Sequence, residues 1–159
     1  MLHYRIEGKG EPLLLLHGAF ASLHTFDPWV KELSKRYQII RYDLPGFGLT
    51  GPNAEDDYSM KTHLFYLNAL ITRLEIEQCY MAGSSLGGWL TWEYALLHPE
   101  KVKKIVLVDA AGFLDSASIP LPFKMARTPF LNNVIKYAIR KDLLANFLKD
   151  VYFDKTKVT

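Results

Sequence analysis

The pentapeptide Gly83-Ser84-Ser85-Leu86-Gly87 is the arrangement in this chain best suited to covalent chemistry. Its frame, Gly-x-Ser-x-Gly, sets a serine hydroxyl on a sharp turn between a strand and a helix, clear for attack on a carbonyl. The flanks supply that setting. Gln78-Cys79-Tyr80-Met81-Ala82 before it is an apolar run of strand length, and residues 89–97 after it are mostly apolar and closed by His98-Pro99. A nucleophile on such a turn holds a strained backbone. Two residues to either side, strand and helix crowd so closely that a Cβ would clash, hence Gly83 and Gly87. The first turn of the next helix points free N–H groups and the positive end of its dipole at the serine. An idle serine in a Gly-rich turn would share this composition, so the other segments must decide.

Two of those segments read as strands running into turns. Residues 11–20, Glu-Pro-Leu-Leu-Leu-Leu-His-Gly-Ala-Phe, place four leucines before His17-Gly18, as expected of a strand buried on both faces. Residues 38–48 bring Ile39-Ile40 into Asp43-Leu44-Pro45-Gly46-Phe47-Gly48. Together with the elbow, Gly88 and Val106-Leu107-Val108-Asp109, in that order and spacing, this set resembles the α/β-hydrolase fold. The resemblance runs over nearly the whole chain and is strongest between residues 11 and 115.

The resemblance implies two-step acyl transfer by a serine hydrolase. Ser85 Oγ is the nucleophile, and a histidine base takes its proton. The oxyanion is held by the backbone N–H of Leu86 and by one from the loop after His17-Gly18, with Ala19 the first choice and Phe20 the second. Phe20 is also expected to contact substrate. His17 is expected to buttress its own loop, and Asp43 to fix the Pro-Gly turn that follows it. Asp109 ends a strand on the same sheet edge as Ser85, so the catalytic acid is either Asp109 or a residue outside this chain. No cofactor is expected. Three functions fit: an esterase or lipase, a carbon–carbon bond hydrolase acting on ring-cleavage products, and a ligand-binding protein on a hydrolase scaffold that has lost its chemistry. Dehalogenase and epoxide hydrolase branches carry Asp where this chain has Ser85.

These residues need a sheet to hold them. Strands are expected near 2–7, 12–17, 37–43, 78–83 and 103–109, and helices near 26–36, 58–75 and 85–97. Their alternation predicts an α/β fold, a mostly parallel doubly wound sheet with helices on both faces. His63 falls on the 58–75 helix, expected on the outer face. Residues 1–114 form the expected core and 115–159 a partial helical lid, with helices near 122–127, 131–139 and 141–151. Family members are longer, with eight strands and a lid after the sixth. The chain therefore reads as the N-terminal portion of an enzyme, lacking the first and last strands and the catalytic histidine. On its own it is expected to be inactive and to self-associate or pair with a C-terminal half.

Composition narrows the classes further. The 159 residues are 49% hydrophobic and 23% charged, as in a globular protein. No apolar run approaches the 18 or so residues of a membrane span, and a cytoplasmic location is expected. Cys79 is the only cysteine and lies in a predicted strand, where packing is its expected role. The five histidines show no metal-ligand spacing, and no phosphate-binding loop is present. Residues 1–119 carry 11 basic and 14 acidic side chains, whereas 120–159 carry 8 and 3. The later basic residues are interleaved with Leu, Ile, Phe and Val at helical spacing, which fits amphipathic lid helices rather than nucleic-acid binding. The partner expected is a small apolar substrate molecule.

Overall fold

Leu13, Leu14, Leu15 and Leu16 explain the architecture, because all four are buried and successive ones face opposite ways. Leu14 and Leu16 join one core cluster, Leu13 and Leu15 the other, so this strand must lie in a sheet covered on both sides. The structure, a computed structural model, describes residues 1–113; the expected lid helices at 122–127, 131–139 and 141–151 lie outside the described residues. The chain divides into two compact units, Met1–Phe113 and Leu114–Thr159.

The first unit contains strands β1 (Tyr4–Glu7), β2 (Glu11–Leu16), β3 (Tyr37–Tyr42), β4 (Cys79–Ser84) and β5 (Val102–Val108). Its helices are α1 (Asp27–Leu33), preceded by a 3-10 turn at Leu23–Phe26, α2 (Met60–Arg73) and α3 (Leu86–Leu97). The sheet order is β1-β3-β2-β4-β5. β1 runs antiparallel to β3, and the other three pairings are parallel. All five strands and three helices fall where the pattern predicts them. The main difference is at α1, which ends at Leu33 rather than near residue 36, with Leu23–Phe26 forming a separate 3-10 turn ahead of it. Asp27 and Pro28 explain the division, since proline suits the first turn of a helix.

Each face of the sheet has its own core. Leu67, Leu70 and Ile71 of α2 and Leu90 and Tyr94 of α3 pack with Leu14, Leu16, Ile40, Tyr42 and Met81. On the other side Phe26, and behind it Val30 and Leu33, cover Leu13, Leu15, Ile39 and Ala82. Arg41 crosses out of this second face with its side chain only 2% exposed. Its guanidinium donates to both carboxylate oxygens of Glu7, at 2.7 and 3.1 Å, to Leu23 O at 2.9 Å, and to Asp27. One buried cation, with four of its five N–H groups hydrogen-bonded, therefore ties β1, β3, the 3-10 turn and α1 together. Cys79 is buried as expected, and burial pushes its thiol up to about 11, so it stays protonated.

β5 departs from this pattern. Among the described residues it pairs only with β4, and Ile105, Val106 and Leu107 are exposed on both its faces. A parallel strand with an unpaired edge and uncovered apolar faces is a template for another strand. The 159-residue polypeptide, purified alone, is therefore expected to elute as an oligomer in size-exclusion chromatography with light scattering. Replacing Val106 by Lys should shift it toward monomer. A monodisperse wild-type monomer with a cooperative unfolding transition would show that β5 recruits nothing.

Candidate active site

The elbow is built by close backbone packing. A Cβ on Gly87 would run into the Leu16 carbonyl, and one on Gly83 into the Gly87 carbonyl and Thr91 Oγ1. Glycine at both positions lets β4, the end of β2 and the first turn of α3 converge. The crowding at Gly87 comes chiefly from β2, a neighbour that local sequence does not reveal. Between the two glycines, Ser85 is held at φ 50°, ψ −115°, a region that L residues avoid, and is exposed. Its N–H donates to Val108 O at 3.1 Å, and its carbonyl accepts from Trp89 and Ala111 N–H, both at 3.0 Å. The strain thus persists because three separate backbone contacts fix it.

The loop after β2 lies directly against this serine. A Cβ on Gly18 would stand 3.1 Å from Ser85 Cβ and 3.7 Å from its Oγ. Ala19 and Phe20 follow, with Phe20 at φ 60° and 73% exposed. Leu86 is the first residue of α3, so its N–H has no acceptor within the helix. Among the described residues the N–H groups of Ala19, Phe20 and Leu86 donate to no backbone carbonyl. The loop, the exposed hydroxyl and the helix start therefore come together at one place.

His17 and Asp43 hold that loop from beneath. His17 is fully buried; its Nδ1–H donates to Gly18 O at 2.7 Å, and its Nε2 accepts from Leu44 N–H at 3.0 Å. A backbone N–H can only donate, which fixes the neutral Nδ1–H tautomer and leaves neither nitrogen free to act as a base. Burial lowers the His17 pKa in the same sense, outweighing the Gly18 carbonyl and Asp43. The Asp43 carboxylate accepts from Leu23 N–H, Leu49 N–H and His3 Nδ1–H, each at 2.8 Å. Burial alone would raise its pKa, but these hydrogen bonds hold it below the usual range. Both residues bind loops, as the sequence suggests.

The other histidines occupy different environments. His3 sits on the β1 side of the sheet, three strand positions or about 14 Å from β4. His24 pairs with Asp27 at 3.0 Å on the exposed 3-10 turn. His98 caps the far end of the twelve-residue α3, about 18 Å from its start. His63 contradicts the expectation of an outer helical face. It is only 2% exposed, its Nδ1 has no hydrogen-bond partner, and it lines a pocket with Gly46, Phe47, Tyr58 and Leu86. The signal lay in spacing: His63, Leu67, Leu70 and Ile71 form one helical stripe, all buried. Asp109, at φ 46°, follows Val108, the register partner of Ser84, and so stands at the expected sheet edge, exposed. Among the described residues no group of three His, Cys, Asp or Glu side chains could hold a metal ion, and no helix is long and apolar enough to cross a membrane.

Comparison with known proteins extends this geometry. A family profile described as alpha/beta hydrolase fold matches residues 11–150. The 2-hydroxymuconate semialdehyde hydrolase of Pseudomonas sp. (strain CF600) is 32% identical over 108 residues, 66% of this chain and 38% of that protein. The solved meta-cleavage product hydrolase from Pseudomonas fluorescens IP01 is 29% identical with a TM-score of 0.80, over 99% of this chain and 56% of that one. A solved carboxylesterase of the thaumarchaeon Nitrososphaera gargenis is 25% identical, also with a TM-score of 0.80, over 99% and 56%. The chain thus spans little more than half the length of these relatives, or less.

The buried histidines make stability depend on pH. Burial is the main cause that lowers the pKa of both His17 and His63, with Asp57 opposing it at His63. In the unfolded chain both titrate near 6.5, so the unfolded state binds more protons as pH falls. Their contribution is complete above that value and declines below it. Urea unfolding of the full natural-length protein at pH 7.5, 6.5 and 5.5 should show stability falling by up to about 1.4 kcal/mol per pH unit for each histidine. The His63→Gln variant should lose about half of that slope. A flat profile would mean that both rings protonate in the fold.

Proposed function

The chain belongs to the α/β-hydrolase fold family, and from that premise we propose that it supplies the nucleophile half of a serine hydrolase. The strained, exposed Ser85 beside uncommitted backbone N–H groups is the observation that carries this reading. Ser85 Oγ attacks the carbonyl carbon of a small or medium apolar ester-like substrate, and its proton passes to a histidine. The carbonyl π pair moves onto oxygen, where the N–H groups of Leu86 and Ala19 receive it, each contributing about 3 kcal/mol of transition-state stabilisation. Collapse of the intermediate expels the alcohol, which takes the proton back; water then cleaves the acyl-enzyme and regenerates Ser85. Phe20, exposed on the same loop, packs against the acyl chain.

None of the five histidines is assigned as the base. His17 is committed at both nitrogens, and His3 and His98 lie far from the elbow. The base in this proposal is a histidine outside the 159 residues. The names of two relatives favour a second reading on the same scaffold, cleavage of a carbon–carbon bond in a ring-fission product. In that case the leaving carbon, rather than an alkoxide, takes the proton.

A fluorophosphonate probe on the full natural-length protein should add to Ser85 and leave Ser84 unlabelled, as located by peptide mass spectrometry. An adduct on Ser84 would overturn the assignment of Ser85, and no adduct at all would remove the serine-hydrolase reading and favour a binding protein. Asp109→Asn separates the two places for the acid. A triad acid should reduce turnover by about 10⁴-fold, a structural Asp far less. Alone, the 159-residue chain should show no Ser85-dependent hydrolysis of a short-chain activated ester between pH 5 and 9. Turnover lost in Ser85→Ala and rising with an apparent pKa near 7 would place the base among its own histidines.

A further inference from the structure

The open pocket lined, among the described residues, by Gly46, Phe47, Tyr58, His63 and Leu86 offers about 380 Å³, within the range of small-molecule sites. It adjoins the elbow, since Leu86 follows Ser85. Its walls are mainly the Phe47 and Tyr58 rings and the Leu86 side chain. Two groups can form hydrogen bonds there. Tyr58 Oη accepts from Asn53 N–H at 3.2 Å and keeps its own O–H to donate. His63 is 98% buried, yet the protein leaves its Nδ1 unpartnered. A buried polar atom without a partner is uncommon and calls for a physical reason. Histidine's terminal torsion is broad and two-fold, so a ring turn can bring that nitrogen round to a bound group.

The electrostatics select the kind of group. Among the described residues no lining side chain carries a formal charge if His63 is neutral, and its burial keeps it so at neutral pH. The carboxylate whose charge acts on the ring is that of Asp57, which disfavours an anion beside it. A cation would find no carboxylate among the described lining residues. A hydroxyl both donates and accepts, so it satisfies a neutral imidazole in either tautomer.

We infer that this pocket is a subsite for a small neutral ring bearing a hydroxyl, of phenol type, with the ring against Phe47, Tyr58 and Leu86 and the hydroxyl on His63. Its place beside the acyl centre rests on the Ser85 reading; its binding chemistry does not. His63 would then choose substrates whose ring portion carries a hydroxyl over purely apolar ones.

The test is binding to the full natural-length protein labelled with ¹⁵N-histidine, titrated separately with phenol, toluene and benzoate. Phenol should move the His63 imidazole resonances saturably and bind about tenfold tighter than toluene, the effect of one net hydrogen bond, with benzoate weakest. His63→Leu should abolish that preference. If that variant fails to fold, Phe47→Ala should weaken phenol and toluene alike while phenol still moves His63. Equal binding of phenol and toluene, or unmoved His63 resonances, would overturn the subsite. Ser85 labelling with unmoved His63 resonances removes the subsite and keeps the serine reading. A phenol shift at His63 without labelling of Ser85 keeps the subsite and removes that reading.

Discussion

The close approach of Gly87 to the Leu16 carbonyl is the constraint on which the rest of the site depends. With any larger residue there, α3 could not start against the end of β2. The strained turn at Ser85 would then lose the packing that enforces it. Gly83 and Thr91 extend the same tight seam one turn along the helix, where Thr91 Oγ donates back to Gly87 O at 2.8 Å. The strain at one residue is thus stored in the packing of two strands and a helix, which is how an unfavourable backbone conformation persists.

A second layer keeps the neighbouring loop in register. His17 spans from its own turn to the Leu44 backbone, and Asp43 gathers three donors from three separate segments. Both side chains are buried and have their hydrogen bonds met, so displacing either leaves polar atoms stranded in a low-dielectric interior. These bonds hold the loop after β2 in place, and the oxyanion role proposed for it needs a fixed position, since donors that must reorganise lose their advantage. Arg41 does the same for the far side of the sheet. There two carboxylates and a backbone carbonyl offset the desolvation of its charge.

Much of this was legible from local pattern. Gly83, Ser85 and Gly87 prescribe the turn through sterics acting over a few residues, and the leucine run of β2 implies burial on both faces. The 58–75 stretch shows its helix through apolar spacing, yet the outer face expected for it does not fit His63, which is buried. The stripe shared with Leu67, Leu70 and Ile71 was the better guide. Likewise Asp43 and His17 could be read as loop-fixing residues, but not which atoms they would meet.

The sequence by itself determined the order of strands and helices, the elbow at Ser85 and the sheet edge carrying Asp109, because these follow from contacts within a few residues. Tertiary structure alone decided the tautomer of His17, the three donors on Asp43, the enclosure of Arg41 and the unpartnered nitrogen of His63. The partners of His17 and Asp43 lie as many as 27 and 40 residues away. Contacts at that range depend on strand order and register. A single residue's slip would turn every side chain of a strand to the opposite face, so no short window of sequence contains them.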